Sequence, residues 1–231
     1  LIDHAWGYEP CTIAQIRAYK PQSSSLGCGQ VLHCPYTADK ARIVVQEMID
    51  GISLELVEKR LVTDQLVLTV GYDIENLTRP EIRKVYKGPV TTDRYGRRVP
   101  KHAHGTWNLP RATSSSSELL EAMAALYDKI VNPALLIRRM SLSACHVVNE
   151  KMAKEREQKE TFEQLDLFTD YAKKEAKEKE EQKKRERERR MQEALLTIKK
   201  KYGKNAVLRG MNFEEGATAK ERNGQIGGHQ A

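Results

Sequence analysis

The residues of this 231-residue chain best suited to metal or nucleophile chemistry are its four cysteines and six histidines. Cys11, Cys28, Cys34 and Cys145 stand singly, His33 and His146 adjoin cysteines, and His102 and His104 are two apart. No C-x-x-C pair occurs, whereas a structural zinc site needs four convergent nitrogen or sulfur donors. Cys28 falls on an alternating apolar run, where a thiol packs as a small hydrophobe. A metal-dependent hydrolase built on His102, His104 and Cys145 is therefore the weakest reading. There is no G-x-S-x-G elbow and no G-x-x-x-x-G-K phosphate loop. The acidic residues of 1–150 fall mostly on helix exteriors and loops, so no catalytic residue and no metal site are assigned.

A different chemistry is collected on alternating runs. Leu26, Cys28, Gln30 and Leu32 alternate with Ser25, Gly27, Gly29 and Val31. Leu66, Leu68, Val70 and Tyr72 alternate with Thr63, Gln65, Val67, Thr69 and Gly71, and Met140, Leu142 and Ala144 with Arg139, Ser141 and Ser143. One face of the implied sheet is apolar; the other is polar and built of small residues. Peptide N–H groups and hydroxyls grip a phosphate backbone at close range, and glycine lets the backbone approach. An arginine forks two donors onto one phosphate. Such contacts read no bases, so binding would tolerate any sequence and weaken with salt. A plain solvated face, or a face docked on another protein, fits the same pattern.

These runs are held by a simple order of elements. After a helical turn through Ile13, Ile16 and Tyr19, stopped by Pro21, a linker leads into a strand over 25–32. Thr37 is an N-cap candidate for an amphipathic helix through Ala41, Val44, Val45, Met48, Ile52 and Leu56, to about Arg60. A strand spans 63–72, and 73–100 is charged and turn-rich, an insertion or long hairpin loop. A further strand spans 101–109. Ser115 and Glu118 form a capping box for a helix through Leu119, Met123, Leu126 and Ile130, stopped by Pro133. A last strand begins at Ile137. The order β-α-β-β-α-β predicts an α+β fold: a four-stranded sheet with two helices on one face.

Beyond residue 150 the composition changes. Residues 1–150 carry 18 basic and 16 acidic side chains, and 151–231 carry 21 and 16 but few large apolar residues. The second part cannot build a core of its own, which excludes a large multi-domain enzyme. Residues 151–163 read as a charged linker. Gln164-Leu165-Asp166-Leu167-Phe168 is an apolar island directly after it. The island either docks as an extended segment, with Leu165, Leu167 and Phe168 filling pockets and Gln164 at the rim, or packs as one helical turn on the domain. Uncovered hydrophobes are costly in a charged stretch, which favours a partner. Residues 171–201 predict an exposed charged helix with a short apolar stripe of Met191, Leu195, Ile198 and Tyr202. From Gly203 the tail is rich in Gly, Asn and Ala. No run reaches the roughly 18 apolar residues of a membrane span. No signal peptide is visible, so reduced cysteines and a cytoplasmic location are expected. Opening on Leu1, the chain reads as a fragment.

Together, Ser23-Ser24-Ser25-Leu26-Gly27-Cys28-Gly29-Gln30-Val31-Leu32, Thr63-Asp64-Gln65-Leu66-Val67-Leu68-Thr69-Val70-Gly71-Tyr72 and Ile137-Arg138-Arg139-Met140-Ser141-Leu142 resemble the little-finger domain of bacterial Y-family (translesion) DNA polymerases. The resemblance implies the end of a thumb over 1–20, a little finger over 21–150, a linker with a clamp-binding motif over 151–170, a charged helix over 171–202 and a Gly-rich tail over 203–231. Asn212 to His229 also resembles tails of Gram-positive members. The resemblance further implies contact with primer–template duplex through Ser24, Ser25, Gly27, Thr63, Thr69 and Arg139, with Arg138 second and Lys101 on a third strand whose DNA-facing parity stays open. Gln164 to Phe168 would hold the β sliding clamp, and a recombinase filament is a further partner it allows. The catalytic carboxylates and Mg²⁺ would lie in an upstream palm, leaving no cofactor here and no polymerase activity in this chain alone. A stand-alone adaptor docking proteins through its sheet and charged helix is the rival reading.

Overall fold

The alternating runs form four long strands, with the segments of helical period between them. A computed structural model describes residues 6–7, 10–19, 24–93, 95–160 and 171–225. In chain order its elements are α1 (Ile13–Ala18), β1 (Leu26–Tyr36), α2 (Ala38–Lys59), β2 (Leu61–Tyr72), α3 (Glu75–Thr78), α4 (Pro80–Val85), β3 (Val90–Thr92), β4 (Arg98–Pro100), β5 (Ala103–Thr113), α5 (Ser116–Ile130), β6 (Ile137–Cys145), β7 (Val148–Asn149), α6 (Glu150–Glu160), α7 (Tyr171–Tyr202) and α8 (Ala219–Arg222). A 3₁₀ turn covers Gly210–Phe213.

The long strands lie in the order β1-β6-β2-β5, every pair antiparallel. Both βαβ units are split: β6 separates β1 from β2, and β2 separates β5 from β6. The expected β-α-β-β-α-β sheet is thus present. Its apolar face meets α2 and α5. Val44, Met48, Ile52 and Leu56 of α2 and Leu119, Met123 and Leu126 of α5 are buried against Leu66, Leu68, Val70, Met140 and Leu142. Each such side chain contributes about 1.5–3 kcal/mol by leaving water. Gly105 lets α5 sit close, since a Cβ there would come 2.8 Å from Cγ2 of Ile130.

Several boundaries differ from the sequence reading. β5 runs on to Thr113 through Pro110, which an edge strand tolerates because its outward N–H has no ladder partner. The segment 73–100 is ordered as α3, α4 and a β3–β4 hairpin. It is pinned by the fully buried Asn76, whose amide donates to the carbonyls of Asp73 and Leu136 (both 2.8 Å) and accepts from Leu136 N–H (2.7 Å). Thr37 caps α2 without a side-chain hydrogen bond. Only half of the Ser115 capping box forms: Ser115 accepts from Glu118 N–H, while the Glu118 carboxylate turns to Arg111 and Arg185.

The charged extension packs on the domain. Residues 151–160, expected as linker, belong to α6. The carboxy-terminal half of α7 is held by polar groups. Glu188 accepts from Ser117 N–H (2.8 Å) and from the hydroxyls of Ser115 and Ser117, which places a carboxylate on the N-terminus of α5. Gln192 is buried and donates to the Ser114 carbonyl (3.0 Å), and Arg189 pairs with Glu150 at 2.8 Å. Of the expected apolar stripe, Met191, Ile198 and Tyr202 are exposed and only Leu195 is half-buried. After Gly203, at φ +97°, the tail returns along α2. There Glu47, 3% exposed, accepts from Thr218 N–H (2.8 Å), Ala219 N–H (3.0 Å), Thr218 Oγ1 and Asn212 Nδ2. Arg222 reaches Gln30 of β1 (2.7 Å), and Arg209 pairs with Asp50 (2.7 Å).

Candidate nucleic-acid interface

The sheet face turned away from α2 and α5 is built in cross-strand rungs. Gly27, Ser143, Val67 and Thr106 share one rung; Gly29, Ser141, Thr69 and His104 the next; Val31, Arg139 and Gly71 a third. Cys145, Gln65 and Asn108 extend it at the other end. No carboxylate stands in these rungs. The face is flat because two of its positions on β1 are glycine: a Cβ on Gly27 would come 2.9 Å from Ser143 Oγ. Cross-strand hydrogen bonds hold the larger polar groups, Gln65 Nε2 donating to Asn108 Oδ1 and Thr69 Oγ1 meeting His104 Nδ1, both at 2.9 Å.

Arg139 is the cation of this face. It is exposed, and among the described residues it has no carboxylate partner. A β-bulge sets it there: Gly71 pairs with Arg139 but Tyr72 pairs with Ile137, so Arg138 is the extra residue. Gly27 is exposed on β1 two rungs from Arg139, Ser25 is exposed just before that strand, and Thr69 lies in the rung between Gly27 and Arg139.

Two expected contacts, Thr63 and Arg138, turn to the protein itself. Thr63 is 0% exposed, and its hydroxyl donates to the carbonyls of Cys145 (2.5 Å) and Gln65 (3.1 Å). The register shifts between Thr63 and Gln65, which takes Thr63 out of the alternation of Gln65, Val67 and Thr69. Arg138 points to the protein itself, donating to the His33 carbonyl (2.8 Å) with Asp73 at 3.8 Å. Ser24 is exposed; its hydroxyl donates to the Val147 carbonyl and its carbonyl accepts from Val147 N–H (3.0 Å). Lys101 is exposed but precedes β5, outside the rungs. Gln164, Leu165, Asp166, Leu167 and Phe168 lie outside the described residues.

The parity of the third strand is resolved: His104, Thr106 and Asn108 are exposed on the open face, while Gly105, Trp107 and Leu109 turn toward the helices. Sequence reading passed over these three. The alternation of Trp107 and Leu109 with polar residues was the signal. Among the described residues no group of three or more His, Cys, Asp or Glu could hold a metal ion. Burial pushes the Cys28 thiol up, so it stays protonated at neutral pH. No helix among the described residues is long and apolar enough to cross a membrane.

No protein-family model and no curated protein matches the sequence. Among solved structures, the chain is similar to one described as a complex of a beta-clamp processivity factor and the little finger domain of PolIV. The identity is 9% and the TM-score 0.35, over 63% of this chain and 100% of the other.

Proposed function

We propose that the open sheet face lies along the sugar–phosphate backbone of primer–template DNA, and that the chain acts as the carboxy-terminal part of a Y-family polymerase in translesion synthesis. The observation that carries this reading is the face itself: three carboxylate-free rungs of glycine, hydroxyl, imidazole and valine groups with one arginine that has no carboxylate partner among the described residues. Backbone N–H groups around Ser25 and Gly27, the hydroxyls of Ser141, Ser143 and Thr106, and the Arg139 guanidinium supply donors without reading a base. Indifference to base identity suits a damaged template. Catalysis would belong to a palm domain with its carboxylates and Mg²⁺, and Gln164–Phe168 would tether the assembly to the sliding clamp in the cytoplasm.

Fluorescence anisotropy on a labelled primer–template tests the first half. Binding should weaken with salt and fall about tenfold in Arg139→Ala, the order of one charge-assisted hydrogen bond. Absence of salt-dependent binding by the wild-type chain ends the proposal and leaves the adaptor reading. Deleting Leu167 and Phe168 should abolish capture by purified sliding clamp; unchanged capture refutes the tether alone.

A further inference from the structure

Docking sorts the charges of α7. From Lys183 to Tyr202 the helix carries three glutamates and nine cations up to Lys201. Glu188 is spent on the α5 N-terminus, and Glu193 pairs with Arg189 at 3.0 Å. Arg185 turns inward to Glu118, and Gln192 is buried. At about 100° per residue, Lys183, Arg187, Arg190, Ile198, Lys201, Met191, Lys184 and Tyr202 then fall within one sector about 120° wide, opposite Gln192. All are exposed, and from Lys183 onward no carboxylate lies in that sector; Glu186 stands at its margin and Glu180 one turn before it. Among the described residues, Lys183, Lys184, Arg187 and Arg190 form no ion pair.

The order within the sector matters. Lys183, Arg187, Arg190 and Lys201 fill one half of it, with Lys183 and Arg187 about 6 Å apart along the axis. Met191 (58% exposed), Ile198 and Tyr202 (67%) lie along one flank. A membrane-seated helix instead has a broad apolar face with cations along both of its margins, whereas here cations and apolar residues lie side by side. A duplex hides its base faces, so the apolar flank would gain nothing from it. A single strand offers phosphates at comparable spacing and bare base faces beside them, which aromatic and apolar side chains stack upon.

We propose that the outward face of α7 is a second nucleic-acid site, specific for single-stranded DNA. Lys183, Arg187, Arg190 and Lys201 follow the phosphates, and Tyr202, Ile198 and Met191 receive the bases. The site is independent of the sheet face and stands or falls separately from it.

The test uses the full chain with dye-labelled dT20 in anisotropy titrations over a salt series. The combined substitution Lys183→Gln, Arg187→Gln and Arg190→Gln should lower affinity at least tenfold and reduce the log–log salt slope by about 2, three phosphates at about 0.7 each. Tyr202→Ala should lower affinity about fivefold with the slope unchanged, because stacking releases no counterions. Arg139→Ala should leave dT20 binding as it is. The substituted side chains make no ion pair, so thermal melting by circular dichroism should match wild type. The proposal is overturned if wild type fails to bind dT20, if the triple variant binds as wild type while still folded, or if the loss follows Arg139→Ala instead.

Discussion

Arg139 lies across Gly71, its cross-strand partner: a methyl group on Gly71 would come 2.6 Å from Cγ and 2.7 Å from Nε of the arginine. The glycine is the bed on which the guanidinium rests, which directs a long, otherwise free side chain along the sheet rather than into solvent. Gly71→Ala should therefore weaken primer–template binding about tenfold even though Arg139 remains, approaching the effect of Arg139→Ala. The double variant should bind no more weakly than either single one. Additive losses in anisotropy titrations would show that the two residues act separately.

Glu47 holds the carboxy-terminal segment through four donors in a buried contact. Glu47→Ala leaves the Thr218 and Ala219 N–H groups and the Asn212 amide without that acceptor and should cost about 2–3 kcal/mol in urea unfolding. Trypsin cleavage at Arg209, Lys220 and Arg222 should accelerate in parallel. An unchanged digestion pattern would mean the segment is held by other contacts.

Glu188 supplies from another helix the carboxylate that Glu118 does not give to its own cap. Glu188→Gln should lower stability by about 1 kcal/mol, the worth of a charge at a helix N-terminus. Exchange of the Ser117 amide proton with solvent should rise by NMR.

Two carboxylates should titrate in opposite directions. Burial holds Asp50 above the usual carboxylate range, against the opposing pull of Arg209 and Lys199. The Arg42 guanidinium holds Asp128 below it, through hydrogen bonds of 2.9 Å. The folded state binds the Asp50 proton more tightly than the unfolded chain does. Its ionisation therefore subtracts stability as pH rises from the usual carboxylate range through the raised value. Asp128 does the reverse: its contribution is full above the usual range and is lost as pH falls through the lowered value. Side-chain carboxyl ¹³C shifts followed over pH check both; coincident midpoints would contradict the structure.

The sheet and its two helices were legible because burial on one side imposes period two on β2 and β6 and helical period on α2 and α5. Arg139 and Thr69 could be placed on the open face for the same reason. Thr63 could not, because a register shift breaks the alternation and nothing in residue types announces it. A bulge hides the direction of Arg138 in the same way. The docking of α7 and the tail was invisible to a search for apolar stripes. It runs through Glu188, Arg189, Gln192 and Glu47, residues that read as solvent-facing until the partner groups are known.

Glu47 must wait for Thr218, made 171 positions later. At about 5–20 residues per second, a nascent chain carries that carboxylate uncovered for roughly ten to thirty seconds of translation. The sheet and both helices can close in the meantime, so the domain matures in two stages. A stalled ribosome that stops short of Thr218 would hold it with α2 still bare along its outer side.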